Sequence, residues 1–405
     1  MFGLRSTRRL ALLIVPLLLS TAACSSSSAS KGAAPSDATA TTSSQPAIRL
    51  GMIVNTTYKD VPPAGAKAAM ARINAAGGIK GRPLELVVCD TTNTASVAAT
   101  CAQKFAADAS IVATVGDVSS FGGDTNPPLE KASVAGIGTV PLAAGDFGAT
   151  RVFATTSGGL EFLGIASFLY DRVGARKIGI AVIDDPVAQA LPGLVDGILA
   201  PRGGKLSGSV VVPVADADVS AKVASLAHSD AQALALTEDV GIRYLQAARQ
   251  QGFSGPLMVS ETTMRPELLK ERMSAKDLEK VYAISWFDKT SSGYADYLGD
   301  LKKYQPKVKA DDLSANAWLS VNVFAKVASG LDEVTREKVL AGMNALAGFD
   351  TKGMTPPLDY TVKGTALGGA APRLVPSSLQ VFADRYEDGS WVPFDKVQKP
   401  LTVFK

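Results

Sequence analysis

The chain has 405 residues, 41 basic and 38 acidic side chains, three cysteines and one histidine. Taking away the three arginines of the N-terminal leader (Arg5, Arg8, Arg9) leaves 38 basic against 38 acidic groups, so the +3 charge belongs to the leader alone. A neutral globule argues against a nucleic-acid partner, whose phosphates demand a basic surface. A lone His228 with no CxxC pair argues against zinc.

The leader reads as a secretory signal. Three arginines precede an apolar run from Leu10 to Leu19, too short to span a bilayer as a helix. Thr21, Ala22, Ala23 and Cys24 look like a lipobox, although leucine is commoner where Thr21 stands. Cys24 is then lipidated and becomes the first mature residue; an ordinary signal with a chance cysteine is the alternative. Thr7, Arg8 and Arg9 also permit a twin-arginine reading, followed by a weak hydrophobic pair, Ala11 and Leu12. Ser25 to Pro46 is nearly all Ser, Ala and Thr, too polar to bury a core, and reads as a flexible tether. No later stretch is long and apolar enough to cross a membrane.

From Ile48 onward the elements alternate. Strands are expected at Ile48–Val54, Leu84–Cys89, Ile111–Gly116 and Gly138–Val140, with helices at Ala64–Ala75 and Thr94–Ala107 and around Pro128–Ser133. Gly77 and Gly78 stop the first helix, and Gly81, Arg82 and Pro83 turn the chain. A second series follows: helix Leu160–Val173, strand Lys177–Ile183, helix Val187–Leu199, strand Leu206–Val212, helix Val219–Ala227, strand Ala233–Leu236, helix Val240–Gln251 and strand Pro256–Val259. Most strands are apolar throughout, as strands covered on both faces should be. The class is α/β, with two doubly wound sheets in succession. Three helices, Ser291–Tyr304, Ser314–Leu331 and Val334–Leu346, precede a closing strand pair near Leu379–Tyr386 and Trp391–Phe394.

With Cys24 acylated, Cys89 and Cys101 remain as an even pair in an oxidising compartment. Cys89 ends a strand and Cys101 lies about two turns into the next helix. A disulfide between them is expected, with two buried free thiols as the alternative.

Four passages together resemble the branched-chain amino-acid-binding proteins of ABC transporters, members of the type I periplasmic binding fold. They are INAAGGIKGRPLELVVCD (Ile73–Asp90), VATVGDVSSFGG (Val112–Gly123), GTVPLAAGD (Gly138–Asp146) and ALALTEDVGIRYLQAARQQGFSGPLMVSE (Ala233–Glu261). The resemblance covers nearly all of the mature chain. It implies two discontinuous lobes joined by a multi-strand hinge: 47–155 with 261–358, and 156–260 with 359–405. The leader takes 1–23, and the lipidated cysteine and tether take 24–46. It also implies a small ligand held in the cleft and carried to an ABC permease, with no cofactor. The protein would be a monomer, held by its lipid on the outer face of the cell membrane.

By the same resemblance Ser120, with Ser119 beside it, bonds a ligand carboxylate; the alternative is that they cap the next helix. Glu261 pairs with a ligand ammonium, or else is a solvated loop acid. Tyr58 is an aromatic wall or a surface tyrosine. Glu238 and Asp239 add negative potential or start a helix. Trp286 and Phe287 line the cleft or sit in the core. Ala143 and Ala144 stand in a loop where the family commonly has a threonine. There the backbone amides are expected to donate. Asp185 and Pro186 occupy a place where the family has an aromatic. These departures open the ligand class to a small amide, an amine or an aromatic acid.

No GxSxG elbow and no GxxxxGK[ST] loop is present, so no enzyme is expected. The GGIKG turn follows a helix rather than a strand and is too short for a dinucleotide fingerprint. His228 reads as a surface or capping residue. A sensory receptor of the same fold, signalling to a membrane kinase, is the second functional reading; a surface lipoprotein with an unused cleft is the third.

Overall fold

A computed structural model describes residues 45–365, 369–395 and 401–402. The leader, Cys24 and nearly all of the tether lie outside the described residues. Among the described residues no helix is long and apolar enough to cross a membrane.

The first series runs β1 (Ile48–Val54), α1 (Val61–Ala75), β2 (Leu84–Asp90), α2 (Ala95–Ala107), β3 (Ile111–Val115), α3 (Gly122–Lys131), β4 (Ala135–Ile137), α4 (Ala144–Phe147) and β5 (Val152–Phe153). Its strands form one parallel sheet in the order β2-β1-β3-β4-β5. Parallel neighbours need crossover helices on both faces, which is why β1, β3 and β4 are almost entirely apolar and buried. The amide of Gly78 closes α1 on the carbonyl of Ile73 at 2.9 Å, as a glycine helix stop does. Cys89 and Cys101 form a disulfide, with Cα atoms 5.8 Å apart, that ties α2 to the end of β2.

The short fourth strand lies three residues earlier than expected. Gly138 has φ +67°, a left-handed conformation that ends β4 before Thr139 and turns the chain toward the sheet edge. Likewise α3 begins at Gly122, well before Pro128; its two prolines cost it internal hydrogen bonds but do not break it.

The second series is α5 (Glu161–Asp171), β6 (Lys177–Ile183), α6 (Pro186–Leu199), β7 (Lys205–Val212), α7 (Ser220–Ser225), β8 (Ala231–Ala235), α8 (Glu238–Gln250), β9 (Leu257–Ser260), α9 (Pro266–Arg272) and β10 (Val281–Ser285). The chain then makes α10 (Ser292–Tyr304), α11 (Asp312–Gly330) and α12 (Arg336–Asn344). It ends with β11 (Gln380–Glu387), β12 (Ser390–Pro393) and β13 (Leu401–Thr402). The second sheet has the order β12-β11-β10-β9-β8-β6-β7, with β13 beside β11. It is parallel from β7 to β10 and antiparallel from β10 to β12.

The helices after β10 return to the first sheet. α11 packs along α1, and at Gly65 the two backbones are so close that a Cβ would lie 1.8 Å from the carbonyl oxygen of Ser314. α12 packs on β3 and β4, where the Arg336 guanidinium donates to the carbonyls of Phe105, Ala106, Asp108 and Ile111.

The return falls later than Glu261, where the resemblance places it. β10 pairs in parallel with β9, Val281 opposite Leu257, and α9 packs on β12, so residues 266–285 belong with the second sheet. One more strand–helix–strand unit follows β9 before the chain leaves. The chain thus crosses between the sheets after β5, after β10 and before β11.

Candidate functional site

In doubly wound sheets, ligands meet the carboxyl ends of the strands. On the first sheet those ends are Asn55–Tyr58 after β1, Asp117–Ser120 after β3 and Pro141–Asp146 after β4. On the second they are Thr237–Asp239 after β8, Ser260–Thr263 after β9 and Trp286–Lys289 after β10.

The first rim is built on Arg151, a buried guanidinium. It donates to Val134 O at 2.7 Å, Asn126 Oδ1 at 2.6 Å and Thr114 Oγ1 at 2.7 Å, and stands 3.8 Å from Asp117. Asp117 accepts from the Ile53 amide at 2.9 Å, Thr114 Oγ1 at 2.5 Å and Thr139 Oγ1 at 3.3 Å. Asp146 accepts from Asn126 Nδ2 at 2.8 Å and from the Leu142 and Ala143 amides at 3.1 and 2.9 Å. Burial raises both carboxyls, while Arg151 and these hydrogen bonds pull them back.

This network decides the fate of several expected contacts. The Ala143 amide is spent on Asp146 rather than offered to a ligand. Ala144 is exposed and begins the short helix α4. Ser119 is buried, and its Oγ accepts from the Phe121 amide at 3.2 Å, closing a local turn just before α3 rather than capping the helix. Ser120 is exposed; its Oγ accepts from Asn55 Nδ2 at 3.2 Å, which leaves its O–H to donate outward. Tyr58 is half-buried in the loop after β1. Burial raises its phenol, and the carboxylates of Asp311, Glu161 and Glu238 raise it further, so it stands among acids from both sheets' surroundings.

The opposite wall holds a different cluster. Glu261 is 9 % exposed and is not waiting for an ammonium. Lys289 Nζ lies 2.5 Å from its Oε2 and 2.7 Å from Oδ2 of Asp384 in β11. Burial works against the Lys289 charge, but Glu261, Asp384 and Asp312 outweigh it and its pKa rises. Burial raises Glu261, and Lys289 opposes that shift.

Beside them, Asp312 accepts from the Trp286 amide at 2.6 Å and from Ser285 Oγ, tying the end of β10 to the start of α11. Burial pushes it up to about 7. Asp311 caps α11 through the Leu313 and Ser314 amides, and burial pushes it up to about 6. Glu161, at the start of α5, accepts from Ser260 Oγ at 2.5 Å and Thr262 Oγ1 at 3.4 Å. Burial lifts it to about 8, so it is largely protonated at neutral pH. The buried indole N–H of Trp286 acts on the same carboxyl.

Trp286 and Phe287 are core residues behind this wall rather than its open face. Glu238 is clamped by Arg265, whose amide and guanidinium both donate to it, while Asp239 is exposed in the first turn of α8. Asp185 caps α6 through the Val187 and Ala188 amides. His228 is exposed, its ring 3.2 Å from the Ser207 carbonyl. Among the described residues no cluster of histidine, cysteine or carboxylates could hold a metal.

Sequence reasoning missed Glu161, Lys289, Asp311, Asp312 and Asp384. One signal was present: Glu161 is the sole charge in GGLEFLGIASFL, and a lone acid in an apolar run needs a buried partner. A cavity of about 420 Å³ lies elsewhere, lined by Arg72, Asp300, Trp318 and Lys352 among others. Its charges are already matched, Arg72 with Asp300 and Lys352 with Asp296.

A family model described as periplasmic binding protein matches residues 58–368. No curated protein matches the chain. Among solved structures it is similar to a branched-chain amino acid transporter substrate-binding protein from Streptococcus pneumoniae, solved with isoleucine. That match is 18% identical with a TM-score of 0.67, over 88% of this chain and 99% of that one. A leucine-binding protein from Thermotoga maritima matches at 18% identity and a TM-score of 0.68, over 86% and 98%. A fatty acid ABC transporter substrate-binding protein from Thermomonospora curvata matches at 18% and 0.70, over 87% and 92%. At these identities the structures speak for the shared architecture, the type I periplasmic binding fold. The family model spans most of the chain, and on that ground the chain belongs to the periplasmic binding protein family.

Proposed function

We propose that this chain is the extracytoplasmic capture component of an ABC importer. It takes a small amino-acid-like solute between the strand ends of its two sheets and hands it to a membrane permease. Lipid on Cys24 holds it at the outer face of the membrane, and the Ser25–Pro46 tether lets it reach the permease. The observation that supports this reading is that Tyr58, in the loop after β1, lies within electrostatic reach of Glu161 and Glu238 at the start of α5 and α8. Ser120 and Tyr58 come from the first sheet, and the Glu161–Glu261–Lys289 wall comes from the second sheet and its crossings. A solute touching both rims stabilises the closed arrangement by contacts that no open one offers. The family supports solute binding, and two of the relatives named above carry branched-chain amino acid or leucine in their descriptions.

Titration calorimetry of the purified protein against amino acids, short amides and carboxylic acids tests the reading. Saturable heat from at least one class is expected, weakened by Ser120→Ala. Silence across the whole panel would sink it.

A further inference from the structure

The wall that faces the first rim carries its own cation. Lys289 reaches from the loop after β10 to Glu261 at the end of β9 and to Asp384 in β11, at 2.5 and 2.7 Å. Both carboxylates are buried, and the lysine side chain is 10% exposed. An ammonium brought to Glu261 by a solute would have to sit beside a like charge or eject Lys289 from two acids into an apolar surround. Like charges in a poorly solvated site repel strongly.

A second observation comes from the other members of the wall. Glu161 is buried, and the Ser260 hydroxyl and the Trp286 indole N–H both act on its carboxyl. Burial keeps Glu161 protonated near neutrality, so it can both donate and accept. The wall thus holds more acids than cations and its ammonium is already paired, which suits a group that carries no charge. A carboxamide is such a group; an ammonium would meet Lys289, and a carboxylate would meet Glu261, Asp312 and Asp384.

We propose that Lys289 determines specificity by filling from within the chain the place of a solute's ammonium, so that the solute presents an uncharged polar group, such as a carboxamide, to this wall. The proposal rests on the capture reading given above. It narrows the solute from a zwitterion to an amine-free relative.

The test uses four solutes on one carbon skeleton: leucine, leucinamide, 4-methylpentanamide and 4-methylpentanoate, titrated into the full chain in detergent at neutral pH. The uncharged amide is expected to bind at least tenfold more tightly than either ammonium-bearing solute. In Lys289→Met the order reverses, because Glu261 loses its internal partner and accepts a solute's ammonium. Thermal melts check that this variant folds. Should it not, the triple variant Glu261→Gln/Asp384→Asn/Lys289→Met, which removes the lysine together with both acids it pairs, is read instead. It keeps the amide first, since neither acid remains at that point to attract an ammonium.

A wild-type preference for leucine, or an ammonium-first order in the triple variant, overturns the proposal while leaving solute capture intact. No heat from these four or from a broad panel of zwitterionic, cationic and neutral solutes overturns both. Where a member outside the four binds, its amine-free or amine-bearing character decides the proposal in the same way.

Discussion

Two buried charge clusters stand in this molecule, one under each sheet's strand ends, and they are built on opposite principles. Around Arg151 one guanidinium serves Asp117 and Asp146, and those acids also accept backbone amides and side-chain donors. Around Lys289 one ammonium serves Glu261 and Asp384, with Glu161, Asp311 and Asp312 nearby. The first cluster is a frame that holds two turns in register. The second has more acids than cations. Frames are expected to fail by unfolding, and functional walls by altered binding or titration.

The largest expected effect is on the frame. Arg151→Met leaves Asp117 and Asp146 buried without their cation and is expected to cost about 3–5 kcal/mol in urea unfolding. A loss below about 1 kcal/mol would show that the hydrogen bonds alone hold these acids, and the contrast between the clusters would collapse. Next in size is the staple at the β2 edge of the same sheet. Replacing Cys89 and Cys101 by serine removes a loop constraint worth about 3 kcal/mol. Binding at the Lys289 wall should not change. If affinity falls with stability, the two regions are not separable.

A third expectation concerns the wall. Glu161 has a folded pKa of about 8, far above the ordinary 4.5. A carboxyl whose pKa rises on folding binds its proton more tightly when folded. Stability is therefore greatest below the unfolded value and is lost as pH climbs toward 8. Asp312 at about 7 and Asp311 at about 6 act in the same direction. Where one such proton differs between the states, the slope is about 1.4 kcal/mol per pH unit. Melting temperature should fall from pH 5 to pH 8, and Glu161→Gln should flatten that fall. An unchanged slope in the variant would move the titration to another group.

The architecture was legible because its signals are local. Gly77 and Gly78 stop a helix, apolar runs mark covered strands, and Cys89 with Cys101 lie one strand and two turns apart. Where the reading slipped, a local signal competed with a distant one. Gly138 looks like the start of a strand until its left-handed φ ends one, and β10 joins the second sheet because Leu257 lies opposite Val281. The rim positions were legible for a similar reason, since they follow strand ends. Their partners were not. Glu261 was assigned a ligand's ammonium because Lys289, 28 residues on, and Asp384 in another strand meet it only through the crossings of the chain. Ala143 looked like a donor until Asp146, three residues later, folded back onto its amide.

The smallest expectation separates neighbours on the first rim. Ser119 and Ser120 are adjacent and chemically identical, yet the fold has given them different atoms to touch. Ser119 is buried and closes the turn before α3 through the Phe121 amide. Ser120 is exposed, accepts from Asn55 and keeps its O–H free to point outward. Ser119→Ala should therefore cost about 1 kcal/mol of stability, as a lost hydrogen bond in a buried turn does, with little change in solute affinity. Ser120→Ala should leave stability within about 0.5 kcal/mol and weaken binding by roughly tenfold, one hydrogen bond to a bound group. Urea unfolding and calorimetry on the same two variants give the four numbers. A crossed result, with affinity following Ser119, would mean that the turn's geometry rather than the Ser120 hydroxyl meets the solute. The first rim would then be a frame throughout, and solute recognition would fall to Tyr58 and the wall around Lys289.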